Sequence, residues 1–112
     1  MEAGSQIALH MSNVETIPGK TITASLGLVT GSTVRSKNVF KDIGAGLKNL
    51  VGGELKAYTQ LLQEARGEAL RRMMMEAHNM GANAIVNVRF ATSNVASGAS
   101  ELFSYGTAVV VE

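Results

Sequence analysis

The chain has 112 residues, of which 46% are hydrophobic, 17% are charged and 4% are aromatic, and its formal net charge is +1. The absence of cysteine excludes a disulfide scaffold, a cysteine nucleophile and a thiolate zinc site. The small net charge argues against a nucleic-acid partner, and the high hydrophobic fraction argues against disorder. We therefore expect one domain over residues 1–112, with an N-terminal strand and loop at 1–19 and a core at 20–112.

The low charge content bears on the surface of the protein. Soluble domains usually carry about 25% charged residues, so a single copy of this chain is expected to expose apolar or small side chains. Such surface usually marks an interface, which predicts a homo-oligomer. The first 20 residues lack the pattern of a secretion signal, and the longest apolar run is too short for a membrane span. We expect a cytoplasmic protein without a membrane partner.

A first long strand is predicted over residues 21–30, because apolar and small side chains alternate there. The apolar face consists of Ile22, Ala24, Leu26 and Leu28, and the other face of Thr21, Thr23, Ser25 and Gly27. Gly31 and Ser32 are expected to end or bend the strand. Small side chains allow close approach of another backbone, so we expect the second face to contact another subunit or to line the central cavity of a ring. A solvated face is the alternative.

Two helices are predicted next, at residues 38–51 and 54–80, where apolar side chains recur at spacings of three and four. In the second helix, Glu68 and Arg72 form a favourable i,i+4 pair, and Gly81 has the position of a C′ glycine. Its apolar stripe consists of Leu55, Tyr58, Leu62, Ala65, Ala69, Met73, Ala77 and Met80.

Two further strands are predicted at residues 84–92 and 102–111, with a loop at 93–100 between them. In the first of these strands, Val86, Val88 and Phe90 are expected on one face, and Asn87 and Arg89 on the other. The element order predicts an α+β, two-layer architecture, in which the helices pack on one face of a mainly antiparallel sheet.

The sequence contains no established catalytic or metal-ligand motif. His10 and His78 are far apart, and Met73, Met74 and Met75 point in different directions on a helix, which favours packing over ligation. We expect no organic cofactor. A metal ion shared between subunits at a symmetry axis stays an open alternative.

A set of polar residues on the last two strands and the long helix forms the candidate ligand or interface site. Its members are Asn87, Arg89, Glu101, Tyr105 and Arg66. Cross-strand or inter-subunit pairing of Arg89 with Glu101 explains these residues well. A small anionic ligand on Arg89 is the sharper alternative.

Five stretches of the chain resemble the YbjQ-like family, which is labelled as a heavy-metal-binding domain. They are GLVTG at 27–31, GLKNLVGGELKAY at 46–58, EARGEA at 64–69, GANAIV at 81–86 and YGTAV at 105–109. The resemblance implies an α+β fold akin to dodecin subunits, assembled as a ring that is most often a pentamer. Some members carry Cys where this chain has Leu26 and Arg where it has Glu54, so a thiol-based metal site does not carry over.

Three functional hypotheses follow. The first is a non-enzymatic, homo-oligomeric binding or scaffold protein whose ligand is unknown. The second is a heavy-metal-binding protein with oxygen, His or Met donors at subunit boundaries, and the third is an enzyme with a composite site between subunits.

Overall fold

The computed structural model describes residues 8–36, 53–96 and 99–112. These residues form four strands and one helix: β1 (His10–Met11), β2 (Ile22–Ser36), α1 (Gly53–Asn79), β3 (Ala84–Ala96) and β4 (Ala99–Val111). The sheet has the order β1-β3-β4-β2, in which β1 is parallel to β3 and the other pairs are antiparallel. The α+β architecture is confirmed, and α1 packs on one face of the sheet. The helix predicted at 38–51 lies outside the described residues.

Helix α1 begins and ends close to its predicted bounds, because its signals are local. Ala65, Ala69, Met73 and Ala77 are buried, as the apolar stripe predicts. At the C-terminus, the Gly81 amide donates to the His78 carbonyl and the Ala82 amide to the Ala77 carbonyl. These bonds form a Schellman motif, with Gly81 at a φ of 92°. Met80 follows the helix and is exposed, so its assignment to the stripe was wrong.

The predicted salt bridge on α1 is confirmed, and the helix also covers part of the outer edge of β2. Arg72 lies 2.8 Å from Glu68 and donates a second hydrogen bond of 2.6 Å to the Ser32 carbonyl. One turn later, Glu76 accepts a 2.8 Å hydrogen bond from the Thr30 amide. Two outward-facing backbone groups of an edge strand are thus satisfied by helix side chains.

Of the two outcomes expected at Gly31 and Ser32, an end of β2 is contradicted, because the strand continues to Ser36. Gly31 is buried where α1 crosses the strand, and a Cβ atom there would overlap the Ala69 carbonyl oxygen and the Met73 amide nitrogen. Ser104, opposite Gly31 on β4, donates a 3.1 Å hydrogen bond to the same Ala69 carbonyl. The glycine therefore sets the helix-to-sheet distance instead of ending the strand.

The loop expected at 93–100 was also mostly wrong. Strand β3 continues to Ala96 and β4 begins at Ala99, and Asn94 pairs with Ser100. Small polar residues have little strand propensity of their own, but the backbone pairing between the two long strands overrides it. The N-terminal strand expected within residues 1–19 comprises the two residues of β1 in the described part of the chain.

Two β-bulges in β2 change which side chains face the helix. The register of β2 against β4 shifts between Ile22 and Ala24 and again between Ser25 and Gly27. Gly27 (φ 118°) pairs with Ala108 and leaves Leu26 as the extra residue, so Leu26 packs against the core under α1 while Leu28 lies on the opposite face. The prediction that Ile22 and Leu28 share a face with Leu26 was therefore wrong, because Ile22 pairs with Val111 of the second-face cluster and Leu28 lies beyond the bulge. Ala24 pairs with Val110 and is exposed.

A third bulge occurs in β3. Asn87 adopts a positive φ of 56°, and the register shifts between Val86 and Arg89. Val88 consequently packs with the core under α1, whereas Val86 belongs to the cluster on the other face. The prediction that Val86 and Val88 share a face was wrong, because an inserted residue breaks the alternation of a regular strand.

Each sheet face has its own apolar cluster. Under α1 the buried members are Val29, Met73, Ala77, Ala82, Ile85 and Ala108. On the second face, Ile17 from the segment after β1 packs on Ala84, Val86, Val109 and Val111.

In the described part of the chain, no helix has the length and apolarity needed to cross a membrane.

Candidate functional site

Within residues 8–36, 53–96 and 99–112, the segment around Ile17 covers one end of the second sheet face. The remainder, which we call the open face, consists of the outward side chains of β2, β3 and β4 beyond that segment. Its members are Leu28, Thr30, Ser32, Val34, Arg89, Ala91, Ser93, Glu101, Phe103, Tyr105 and Thr107. Their orientation follows from alternation, because Val29, Thr33, Leu102 and Ser104 on the same strands are buried on the helix side.

Apolar side chains are prominent on the open face. Leu28 is 68% exposed, Val34 is 55% exposed and Tyr105 is 36% exposed. The rings of Phe103 and Tyr105 lie side by side, with their centroids 5.9 Å apart and a tilt of 37°. The face thus combines large exposed apolar groups with an aromatic pair, a composition typical of protein interfaces.

Three of the five candidate site residues lie on this face. Arg89 pairs in register with Tyr105, and Glu101 pairs with Ser93, to whose hydroxyl it is bonded at 3.4 Å. Arg89 and Ser93 are four positions apart on β3, and this spacing corresponds to a distance of about 13 Å along an extended strand. The cross-strand Arg89–Glu101 pair is therefore not formed within the chain, and the inter-subunit pair stays a prediction.

The other two candidates are placed elsewhere. Asn87 is exposed at the bulge in β3, where its amide donates a 2.9 Å hydrogen bond to the Val14 carbonyl. Arg66 is exposed on α1, which covers the opposite face of the sheet. The structure thus gathers Arg89, Glu101 and Tyr105 and leaves Arg66 apart.

Arg89 also borders a cleft that the sequence did not indicate. The cleft has a volume of about 500 Å³ and is lined by Met11, Ser12, Asn13, Val88, Arg89 and Phe90. It lies where the segment after β1 leaves the edge of β3. No periodicity connects residues 11–13 with 88–90, so only the tertiary structure could show it.

The model of the YbjQ family, described as "Putative heavy-metal-binding", matches residues 9–112. The chain belongs to this family. A UPF0145 protein of Hahella chejuensis is 69% identical over 102 residues, which are 91% of this chain and 98% of that protein. A UPF0145 protein of the archaeon Archaeoglobus fulgidus is 56% identical over 99 residues, covering 88% of this chain and 92% of that protein.

One solved structure supports the fold of this YbjQ-family chain. A protein of unknown function of the DUF74 family from Pediococcus pentosaceus superposes with a TM-score of 0.60. The match covers 93% of this chain and 98% of that one, at 14% sequence identity. A likeness at this identity shows the fold alone.

The family description implies a heavy metal, but the described residues do not fit one within a single chain. Within residues 8–36, 53–96 and 99–112, no three His, Asp or Glu side chains gather in a group that could hold an ion. His10 on β1 and His78 in the last turn of α1 are exposed on different elements. Met73 is buried in the core while Met75 is exposed, so these thioethers point apart.

Proposed function

We propose that this YbjQ-family chain is a non-enzymatic binding or scaffold module that works as a homo-oligomer, with the open face as its subunit contact. The observation that carries the proposal is the exposure of Leu28, Val34 and Tyr105 on one sheet face. Contiguous apolar surface of this kind marks interfaces in soluble proteins. The ring of five subunits implied by the family resemblance is the assembly we propose.

The other end of the same face supports this proposal. There, Ile17 covers Val86, Val109 and Val111, and each of these side chains is at most 7% exposed. The chain thus buries valines on this face wherever its own segment reaches them. A second copy would bury the rest, at a gain of about 25 cal/mol for each Å² of apolar surface.

The middle of the outer edge of β2 is less suitable than the open face as a contact between subunits. The Thr30 amide is bonded to Glu76, and the Ser32 carbonyl to Arg72. A partner strand would have to displace both helix side chains to pair there. This favours the face over this stretch of the edge.

A non-enzymatic role agrees with how the polar groups of the open face are used. Arg89 donates to two backbone carbonyls, and Glu101 is bonded to the Ser93 hydroxyl. These bonds hold the strands and the N-terminal segment together, which is a structural use.

Light scattering of the purified protein tests the proposal. We expect a mass several times that of the 11.8 kDa chain. Val34→Lys and Leu28→Lys place a charge on the open face and should lower the mass to that of the chain, because burying an unpaired charge is unfavourable.

Val14→Lys is the matched control. Val14 is 52% exposed, close to the 55% of Val34, but it lies on the segment before Ile17. This variant should keep the wild-type mass. A wild-type mass of 11.8 kDa, or an undiminished mass for both open-face variants, would overturn the proposal.

A further inference from the structure

A shallow cleft, open to solvent, lies beside Arg89. Its volume is about 500 Å³. Its two walls are held together by backbone hydrogen bonds, from the Val88 amide to the Ser12 carbonyl at 3.0 Å and from the Asn87 amide to the Val14 carbonyl at 2.9 Å. The cleft is therefore formed within one chain.

Among the described residues, the Arg89 guanidinium is held through one of its nitrogens. Nη1 donates hydrogen bonds of 2.6 Å to the Asn13 carbonyl and 3.0 Å to the Val88 carbonyl. Both acceptors are neutral, so neither compensates the positive charge. The N–H groups on Nε and Nη2 have no hydrogen-bond partner in the described part of the chain, and this edge of a guanidinium matches the two oxygens of a carboxylate.

The bulge at Asn87 brings Arg89 to this position. In a regular strand, Arg89 would share a face with Ile85, which is buried under α1. The extra residue moves Val88 to the helix side and Arg89 to the other side, in register with Tyr105. The bulge requires a positive φ of 56° at a residue other than glycine, an uncommon conformation that is enriched at functional sites.

The lining of the cleft is largely apolar. Met11 is 39% exposed and Phe90 is 43% exposed, and Val88 also lines the cleft. Arg89 pairs with Tyr105 and Phe90 with Ser104, so the two side chains leave β3 on opposite faces and can meet a common ligand only at the edge of the strand. A small hydrated ion such as phosphate would gain nothing from the apolar side chains. An organic acid at this edge would place its carboxylate on Arg89 and its hydrocarbon part against Met11 and Phe90.

We propose that this cleft binds a small organic monocarboxylate with an apolar body, held by Arg89. The inference rests on the proposed binding role and names its ligand class. It does not require the assembly, because all six lining residues belong to one chain.

Titration of the wild-type protein with benzoate, followed by amide NMR shifts, tests the inference. We expect saturable shifts centred on residues 11–13 and 88–91, with a Kd on the order of 1 mM for a ligand of this size. Benzamide, which has the same shape without the charge, and inorganic phosphate, which lacks the apolar body, should each bind at least about tenfold more weakly.

Two variants separate binding from folding. Arg89→Lys keeps the charge but loses the paired donors, and should weaken benzoate binding about tenfold or more. Phe90→Glu leaves the Arg89 bonds to Asn13 intact and adds a repelling carboxylate, with the same expected loss. Arg71→Lys, at an exposed arginine on α1, is the matched control and should bind benzoate as the wild type does.

The result that overturns the inference is an absence of shifts around the cleft at about 10 mM benzoate, or equal binding of benzoate and benzamide. Binding should also persist in the Val34→Lys variant, whatever its mass, so a failure of the assembly proposal is separate from a failure of this one. Benzoate binding to that variant but not to the wild-type assembly would mean that another subunit fills the cleft, which would overturn the inference for the assembled protein.

Discussion

The two faces of the sheet differ in how completely the chain closes them. Helix α1 lies so close to one face that Gly31 has no room for a side chain, and Val29, Met73 and Ile85 are fully buried there. On the second face, the short segment around Ile17 covers one end, while Leu28 and Val34 stay exposed at the other. The exposed Leu28 and Val34 thus continue the apolar layer that Ile17 buries on the same sheet face. For this reason we propose that they form a subunit contact.

The largest effect on stability is expected from disrupting the packing of α1 on the sheet. Gly31→Ala would place a methyl group against the backbone of α1 at Ala69 and Met73, and neither backbone atom can move without shifting the helix. We expect the free energy of unfolding to fall by about 3 kcal/mol or more in denaturant titrations.

Gly67→Ala is the control for that substitution. A methyl group at this helical position meets only Nη1 of Arg71, at 3.4 Å. It should stabilise the chain by up to about 1 kcal/mol through helix propensity. Equal stability of Gly31→Ala and the wild type would show that α1 is less closely packed than described.

A smaller effect is expected from opening the covered end of the second face. Ile17→Ala removes the side chain that packs on Val86 and Val109, and should lower the free energy of unfolding by about 2–4 kcal/mol. Val14→Ala, on the same segment but 52% exposed, should change it by less than about 0.5 kcal/mol. Similar losses for the two variants would contradict the distinction between covered and exposed residues.

The smallest effect is expected from replacing valine with threonine at each end of the second face. In a Leu28→Lys background, Val109→Thr buries a hydroxyl and should lower the free energy of unfolding by about 1–3 kcal/mol. Val34→Thr in that background should change it by less than about 0.5 kcal/mol, because the site is exposed. In a chain that keeps Leu28, Val34→Thr should instead weaken the assembly, which light scattering would show as a lower mass. A large loss at both positions in the Leu28→Lys background would mean that the open face is already covered within one chain.

Helix α1 was predictable from local signals. The spacing of Ala65, Ala69, Met73 and Ala77, the Glu68–Arg72 pair and the glycine at 81 act within one or two turns, so the surroundings do not alter them. The candidate site was predictable only in part. The sequence placed Arg89 on the polar side of its strand and Tyr105 on the neighbouring strand, but the register that pairs Arg89 with Tyr105 and separates it from Glu101 could not be deduced.

The sequence by itself determined the α+β class, the long helix with its buried stripe and the shortage of charge that predicts self-association, because composition and periodicity carry that information directly. The tertiary structure decided which side chains face outward and where the cleft lies. Bulges at Gly27 and Asn87 each insert one residue into a pattern of period two, and every side chain beyond them changes face. Their positions depend on how the strands pair and twist, and that pairing exists only once distant segments are in contact.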